Sequence, residues 1–130
     1  MAVRVLLDTH ALIWWMTTDS HLSQSARVLI EEKNNTSLVS AVSAWEIATK
    51  VRLGRLPAAA GLVENFASDL AQQRIDILAV TAEHGIRAGL LPGPHQDPFD
   101  RMLIAQALSE NVPIVSNDRA LDGYGVRRLW

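Results

Sequence analysis

The sequence predicts an α/β fold: a three-layer α/β/α sandwich built on a mostly parallel sheet of four or five strands. Two observations predict it. Short apolar runs rich in β-forming residues alternate with helical patterns along the whole chain, which is typical of a parallel sheet with helices on both faces. The first of these runs, residues 3–7, is apolar except for Arg4, as expected of a strand that is covered on both faces.

The length and composition are typical of one globular domain. We expect residues 1–130 to form a single domain, because a chain of 130 residues can bury about two thirds of its unfolded surface. Apolar residues make up 48% of the chain and charged residues 20%, a balance typical of soluble proteins. The lack of cysteine excludes disulfides, a thiolate nucleophile and a Cys-zinc site.

The lack of targeting and membrane patterns and the low net charge further restrict the possible functions. No segment has the pattern of a signal peptide or a membrane span, so we expect a cytoplasmic protein that does not act at a membrane. The net charge of −2 gives no general attraction for nucleic acid. Any nucleic-acid binding would therefore need a local basic patch, or metal ions that offset local acid.

The elements of the first half follow from periodicity and capping residues. A helix follows the first strand at once and runs to about Met16. Ser23 is a plausible N-cap for a helix over residues 26–33, and residues 37–40 form a second strand. Ser43 and Glu46 match a capping box, which predicts that the next helix begins there, and Gly54 ends that helix.

The second half continues the alternation. Pro57 marks the start of a long helix over residues 58–73, and residues 75–80 form a third strand, placed at an edge by its half-polar pattern. Thr81 caps a short helix that runs to Leu90. Asp97 then serves as N-cap, with proline at the first helical position, for a helix to about Glu110. Two strands follow, over residues 113–116 and 126–129.

Four carboxylates occupy similar positions relative to the strands. Asp8 and Asp118 each follow a strand, whereas Glu46 and Asp100 lie in the first turn of helices. Right-handed crossovers place the carboxyl ends of parallel strands at one edge of the sheet, which is where ligands bind in open α/β folds. Taken singly, each acid is also explained as a cap or as a complement to a helix dipole.

A shared cation explains the four acids better than capping does. A cap contributes about 1 kcal/mol, whereas two carboxylates about 4 Å apart repel by about 4 kcal/mol at an effective dielectric constant of about 20. Carboxylate oxygens without cysteine favour a hard divalent ion, Mg²⁺ or Mn²⁺. One or two such ions held by carboxylates suit hydrolysis of phosphate esters.

Four segments carry a resemblance to a known family, and they span nearly the whole chain. They are residues 6–14 (LLDTHALIW), 43–47 (SAWEI), 97–107 (DPFDRMLIAQA) and 116–118 (SND). The chain resembles the PIN-domain ribonucleases, and most closely the VapC-type toxins of bacterial toxin–antitoxin pairs. The resemblance implies a Mg²⁺- or Mn²⁺-dependent endoribonuclease with a PIN-like sandwich fold. It also implies an RNA substrate, a small antitoxin partner and a homodimer.

The resemblance assigns roles to the acids and their neighbours. Asp8, Glu46 and Asp100 would hold the ion directly or through water, and Asp118 would orient a water or complete a second site. Thr9 would support the first acid. We favour an N-cap role for Asp97 over support of the metal. No general base is assigned.

Other polar and aromatic residues leave two interpretations open. The candidates for RNA phosphates are Lys50, Arg52, Arg55, Arg101 and Arg119. Each could equally lie on a solvated helix face, with Glu46 and Lys50 a simple i,i+4 pair. We expect the four histidines to form local hydrogen bonds rather than to bind metal, although His10 and His95 lie near proposed site acids. Because Trp14 and Trp15 are adjacent on a helix, one of them is expected to contact a twin subunit or partner.

Two other classes of protein are also compatible with parts of the sequence. The first is a receiver-like domain phosphorylated on an aspartate, since Asp8 ends a strand as in such domains. Against it, the residue two after Asp8 is His10 rather than a second acid, and no lysine follows a late strand. The second alternative is a non-catalytic binding module on the same fold, which the complete acidic set argues against.

Overall fold

The helices and strands alternate along the chain as predicted. The computed structural model describes residues 2–130. The strands in this range are β1 (Arg4–Leu7), β2 (Thr36–Ser40), β3 (Ile75–Leu78), β4 (Ile114–Val115) and β5 (Arg128–Leu129). The α-helices in the same range are α1 (Thr9–Met16), α2 (Gln24–Glu31), α3 (Ala41–Arg52), α4 (Ala60–Glu64), α5 (Phe66–Gln72), α6 (Ala82–Leu90) and α7 (Pro98–Glu110).

The five strands form one parallel sheet in the order β3-β2-β1-β4-β5. In the centre of the sheet, Leu7 of β1 pairs with Val39 of β2 and with Val115 of β4. The residues that follow these three strands therefore emerge side by side at one edge. Receiver-like folds have the order 2-1-3-4-5, so the receiver-like alternative is wrong.

Two apolar layers cover the sheet and confirm the predicted three-layer sandwich. On β1, Val5 and Leu7 contact the layer that contains α1, α2 and part of α3, whereas Leu6 contacts the layer that contains α7. All three side chains are fully buried. This alternation follows from the two-residue repeat of a strand, which points successive side chains to opposite faces. The central strand is thus fixed from both sides, and its carboxyl end is a rigid support.

The helix after β2 begins three residues earlier than predicted. Its N-cap is Ser40, whose Oγ accepts a hydrogen bond of 3.0 Å from the N–H of Val42. The predicted capping box between Ser43 and Glu46 is therefore wrong, because β2 runs into α3 without a loop. Glu46 consequently lies in the second turn of α3, not in the first.

Two other segments differ from what the sequence predicts. The long helix over residues 58–73 is a 3₁₀ turn (Pro57–Ala59) followed by α4 and α5, which are separated by a break at Asn65 (φ −132°, ψ 41°). A 3₁₀ helix over Arg119–Tyr124, which no pattern in the sequence predicted, connects β4 to β5. Among residues 2–130 there is no helix with the length and apolar character that a membrane crossing requires.

Candidate metal centre

A cavity of about 170 Å³ lies at the carboxyl edge of the central strands. All four acids predicted to converge line it: Asp8, Glu46, Asp100 and Asp118. The other residues that line it are Thr9, His10, Lys50, Asp97 and Asn117. The elements meet here because β1 and β4 are neighbours in the sheet, while α3 and α7 pack beside each other against the same edge.

Asp8 is the most enclosed of the aspartates. It follows β1, and its Oδ1 accepts a hydrogen bond of 2.7 Å from the N–H of Ala11, so it is also the N-cap of α1. Its side chain is almost fully buried. Burial raises the pKa of Asp8 above its usual value; hydrogen bonds from Ser116 and Ala11 oppose this shift, and the charge of Asp100 adds to it. The protein thus encloses a carboxylate for which burial disfavours the charged form.

Glu46 is held on two sides. Its Oε1 accepts a hydrogen bond of 2.6 Å from the hydroxyl of Thr9, which also lies 2.9 Å from the hydroxyl of Ser43. Its Oε2 accepts a hydrogen bond from the ammonium group of Lys50, one helical turn further along α3. Thr9 therefore supports Glu46 in this structure, not Asp8 as the resemblance implied. These contacts fix the direction in which the Glu46 carboxylate faces the cavity.

Asp97 and Asp100 open α7 in the way the sequence predicted. The Oδ1 of Asp97 accepts hydrogen bonds from the N–H groups of Phe99 (2.9 Å) and Asp100 (3.2 Å), which confirms its role as N-cap. Asp100 points into the cavity, where its Oδ2 lies 2.8 Å from Nε2 of His95. Burial raises the pKa of Asp100; the hydrogen bond to His95 opposes this shift, and the charges of Asp97 and Glu46 add to it.

Asp118 completes the set from the carboxyl side of β4. Its N–H donates a hydrogen bond of 3.0 Å to the hydroxyl of Ser116, and its Oδ1 accepts one of 3.0 Å from the N–H of Ala120. The carboxylate thus caps the 3₁₀ helix after β4 while it lines the cavity. Potential ligand atoms of His95, Asp100 and Asp118 all lie within 4.8 Å of one another.

The candidate phosphate-binding residues divide into two groups. Arg52, Arg55 and Arg119 have exposed side chains and stay candidates. Lys50 is paired with Glu46 inside the cavity, as the simple i,i+4 interpretation holds. Arg101 is occupied as well, since its guanidinium donates to three backbone carbonyl groups. Both side chains are thus engaged within the chain, and their contact with a phosphate stays a prediction.

Sequence reasoning missed three residues that shape the site. Ser43 was assigned to a cap but contacts Thr9. Ser116 approaches Asp8, and the hydroxyl of Tyr124 accepts a hydrogen bond from the backbone N–H of His95. Helical spacing could have revealed Ser43, because it lies one turn before Glu46 on α3. Nothing local in the sequence points to Tyr124, which acts on a residue far away in the chain.

The chemistry of the cavity fits a divalent metal ion. Five carboxylates line it against a single lysine. Asp8 is desolvated and near another acid, and its only opposing charge is the neighbouring His10. A cation would offset this excess of negative charge, part of which is buried at Asp8 and Glu46. The ligands on offer are mainly carboxylate oxygens, the donors that Mg²⁺ and Mn²⁺ accept.

The raised pKa of Asp8 leads to a prediction for the metal-free protein. The pKa of Asp8 is 3.8 in the unfolded chain and higher in the folded protein. The folded protein therefore loses stability as the pH rises above 3.8 and through the raised pKa. Asp8→Asn keeps the side-chain oxygen that caps α1 but carries no charge. In the presence of a chelator, urea unfolding should show the variant more stable than the wild type at about pH 7, with the difference shrinking toward about pH 4. A difference that does not change with pH would contradict this assignment.

Comparisons with known proteins identify the family and agree with the fold. The family model described as PIN domain matches residues 5–126. Ribonuclease VapC22 of Mycobacterium tuberculosis is 30% identical over 121 residues, which cover 92% of this chain and 91% of that protein.

Two solved structures show the same fold at low sequence identity. One is VapBC2 from Rickettsia felis bound to a DNA fragment from its promoter, with a TM-score of 0.68 and 18% identity, covering 98% of both chains. The other is a toxin–antitoxin complex from Klebsiella pneumoniae, with a TM-score of 0.65 and 12% identity, covering 97% of this chain and 96% of the other. The chain therefore belongs to the PIN-domain family and, within that family, to the VapC-type proteins.

Proposed function

We propose that this protein is a metal-dependent endoribonuclease that acts as the toxin of a toxin–antitoxin pair. The observation that carries the proposal is the convergence of four carboxylates in one cavity of a chain that belongs to the PIN-domain family. The relative named as a ribonuclease supports RNA as the substrate. Mg²⁺ or Mn²⁺ is the cofactor that the donor set favours.

The side chains of the cavity have distinct tasks in this proposal. Asp8, Glu46, Asp100 and Asp118 would hold the ion, directly or through water. When bound, the ion supplies an activated water and stabilises negative charge on the phosphate. Thr9 keeps the Glu46 carboxylate in one orientation by donating its hydroxyl hydrogen. Asp118 would hold the ion or orient a water beside it through the oxygen that does not cap the 3₁₀ helix.

Exposed arginines around the cavity would hold the RNA backbone. Arg119 follows directly after Asp118, and Arg52 and Arg55 lie at the carboxyl end of α3 and just beyond it. Guanidinium groups bind phosphate oxygens in pairs, which positions a strand without reading its bases. Because the net charge is −2, this local patch and the metal ion would supply the attraction for RNA that the whole protein lacks.

We further propose a small antitoxin protein as the partner, a homodimer as the assembly and the cytoplasm as the compartment. The structural match to a toxin–antitoxin complex supports the first of these. Residues 1–130 would act as one PIN domain. Trp14 and Trp15 are both half-buried, and Trp14 packs within its own chain against His21 and Trp130. The contact of one tryptophan with another subunit stays a prediction.

Metal removal tests the proposed activity. We expect the full chain to cleave RNA in Mg²⁺ or Mn²⁺, to lose cleavage when EDTA is added, and to regain it when Mn²⁺ is restored in excess, because the carboxylates alone cannot neutralise the phosphate. The measurement is gel analysis of single-site cuts in an end-labelled RNA. Cleavage that survives EDTA undiminished would contradict the proposal.

A further inference from the structure

His95 lies beside Asp100, one of the acids that line the cavity, in a position that its sequence motif does not explain. It belongs to the loop between α6 and α7, and its Nε2 is 2.8 Å from Oδ2 of Asp100. Its side chain is 23% exposed, so the ring is only partly enclosed. Potential ligand atoms of His95, Asp100 and Asp118 form one group within 4.8 Å. A nitrogen donor thus stands among the carboxylates.

The loop that carries His95 is fixed independently of the ring. The guanidinium of Arg101 donates to the carbonyl groups of Ala88 (3.0 Å), Leu91 and His95 (2.9 Å). The hydroxyl of Tyr124 accepts a hydrogen bond of 2.7 Å from the N–H of His95. Four hydrogen bonds to backbone groups therefore set the path of the loop, and two of them hold His95 itself.

The packing of Gly93 on Tyr124 adds a further constraint to the same loop. Gly93 has a φ of +118°, and a Cβ at this position would lie 2.6 Å from the Tyr124 ring. Only glycine fits both the conformation and the space. The loop is thus built to one shape, which brings the imidazole to Asp100 before any ligand arrives.

The geometry is compatible with shared ligation of one ion as well as with the hydrogen bond between His95 and Asp100. Neighbouring ligands in an octahedral shell with metal–ligand distances of about 2.1 Å are about 3 Å apart, close to the His95–Asp100 distance of 2.8 Å. An ion pair would need only these two groups, whereas Asp118 brings a third donor atom to the same place. Imidazole nitrogen favours the first-row transition metals, a series in which Mn²⁺ is the weakest binder, over Mg²⁺, which prefers oxygen ligands.

We propose that His95 is a nitrogen ligand, with Asp100 and Asp118, of a divalent ion in this cavity, and that it biases the site toward Mn²⁺ over Mg²⁺. This inference rests on the metal site of the proposed function. Arg101 and Tyr124 are then positioning residues, because they hold the backbone of His95 and do not face the ion.

Electron spin echo spectroscopy of the Mn²⁺-loaded full chain tests the proposal directly, since it detects ¹⁴N nuclei bound to the metal. The wild type should show the modulation of a bound imidazole. His95→Gln should lose it and bind Mn²⁺ at least about 10-fold more weakly, the lower end of the range for altered metal shells, while Mg²⁺ binding changes less. The loop should survive in this variant, because Arg101 and Tyr124 bind the backbone of residue 95 and not its side chain.

His10→Gln is the matched control, because His10 is a histidine that itself lines the cavity. It should keep the nitrogen signal. If Mn²⁺ binds to the wild type without a nitrogen signal, or if the signal disappears in His10→Gln instead, the inference on His95 is overturned and the metal site stands. If the wild type binds no Mn²⁺ at all, the proposed function itself is wrong. Should His95→Gln fail to fold, the spectra of the wild type and His10→Gln still decide between these outcomes.

Discussion

Asp100→Asn is expected to lower RNA cleavage by at least about 100-fold without unfolding the protein. Altered outer-shell partners alone cost about 10- to 100-fold in activity, and Asp100 is proposed to touch the ion itself. An asparagine cannot supply the negative charge that holds a divalent cation. Its oxygen, however, keeps the shape of the site, and α7 retains Asp97 as its N-cap.

The fold should tolerate Asp100→Asn. The same substitution at an exposed aspartate outside the cavity serves as the comparison. Burial and neighbouring acids disfavour the charged form of Asp100, so its loss removes an unfavourable term in the metal-free state. Asp76→Asn is the matched control, because Asp76 is exposed on the edge strand β3. Cleavage rates and thermal unfolding of both variants are the measurement. Equal cleavage by Asp100→Asn and Asp76→Asn would contradict a metal-binding role for Asp100.

Arg101→Met is expected to lower the free energy of unfolding by about 2–4 kcal/mol, because three carbonyl groups would lose a charged donor worth about 1.5–3 kcal/mol each in favourable cases. The side chain is half-buried, and water would restore part of the loss. Cleavage should fall as well, since α7 would lose its hydrogen bonds to Leu91 and His95 of the loop and to Ala88 of α6.

The control for this change is Arg87→Met on α6. Arg87 is exposed and donates one hydrogen bond of 3.0 Å, to the hydroxyl of Ser109. Surface substitutions of this kind stay within about 0.5 kcal/mol. Urea unfolding of both variants gives the comparison. A stability of Arg101→Met equal to that of Arg87→Met would show that the loop does not depend on the guanidinium.

The sequence predicted those features that depend on local chemistry. The caps at Ser23, Thr81 and Asp97 are in place, because a capping side chain bonds to N–H groups two or three residues away. The meeting of Asp8 and Asp118 followed from the handedness of crossovers, which puts the carboxyl ends of β1 and β4 side by side. A strand followed by an acid was enough to locate both residues.

Features that depend on distant contacts were not predictable in the same way. Ser40 and Ser43 are equally good caps by residue type, but β2 pairs with β3 up to Ser40 and α3 begins directly after it. Ser43 therefore lies inside the helix, where it contacts Thr9, 34 residues away. The break at Asn65 interrupts an apolar pattern that continues through it. The placement of His95 depends on Tyr124, which is 29 residues away. Only the folded structure reveals such contacts between distant residues, because no local sequence pattern predicts them.

We propose that the carboxylates at the carboxyl edge of the sheet, of which Asp8 and Glu46 are buried, hold one common divalent cation. Calorimetric titration of Mn²⁺ into the wild type and Asp8→Asn tests it most directly, because Asp8 is the most enclosed aspartate of the cavity and its substitution leaves the cap of α1 in place. We predict saturable binding to the wild type, and binding at least about 10-fold weaker in the variant. Equal affinities, or no binding to the wild type, would contradict the claim.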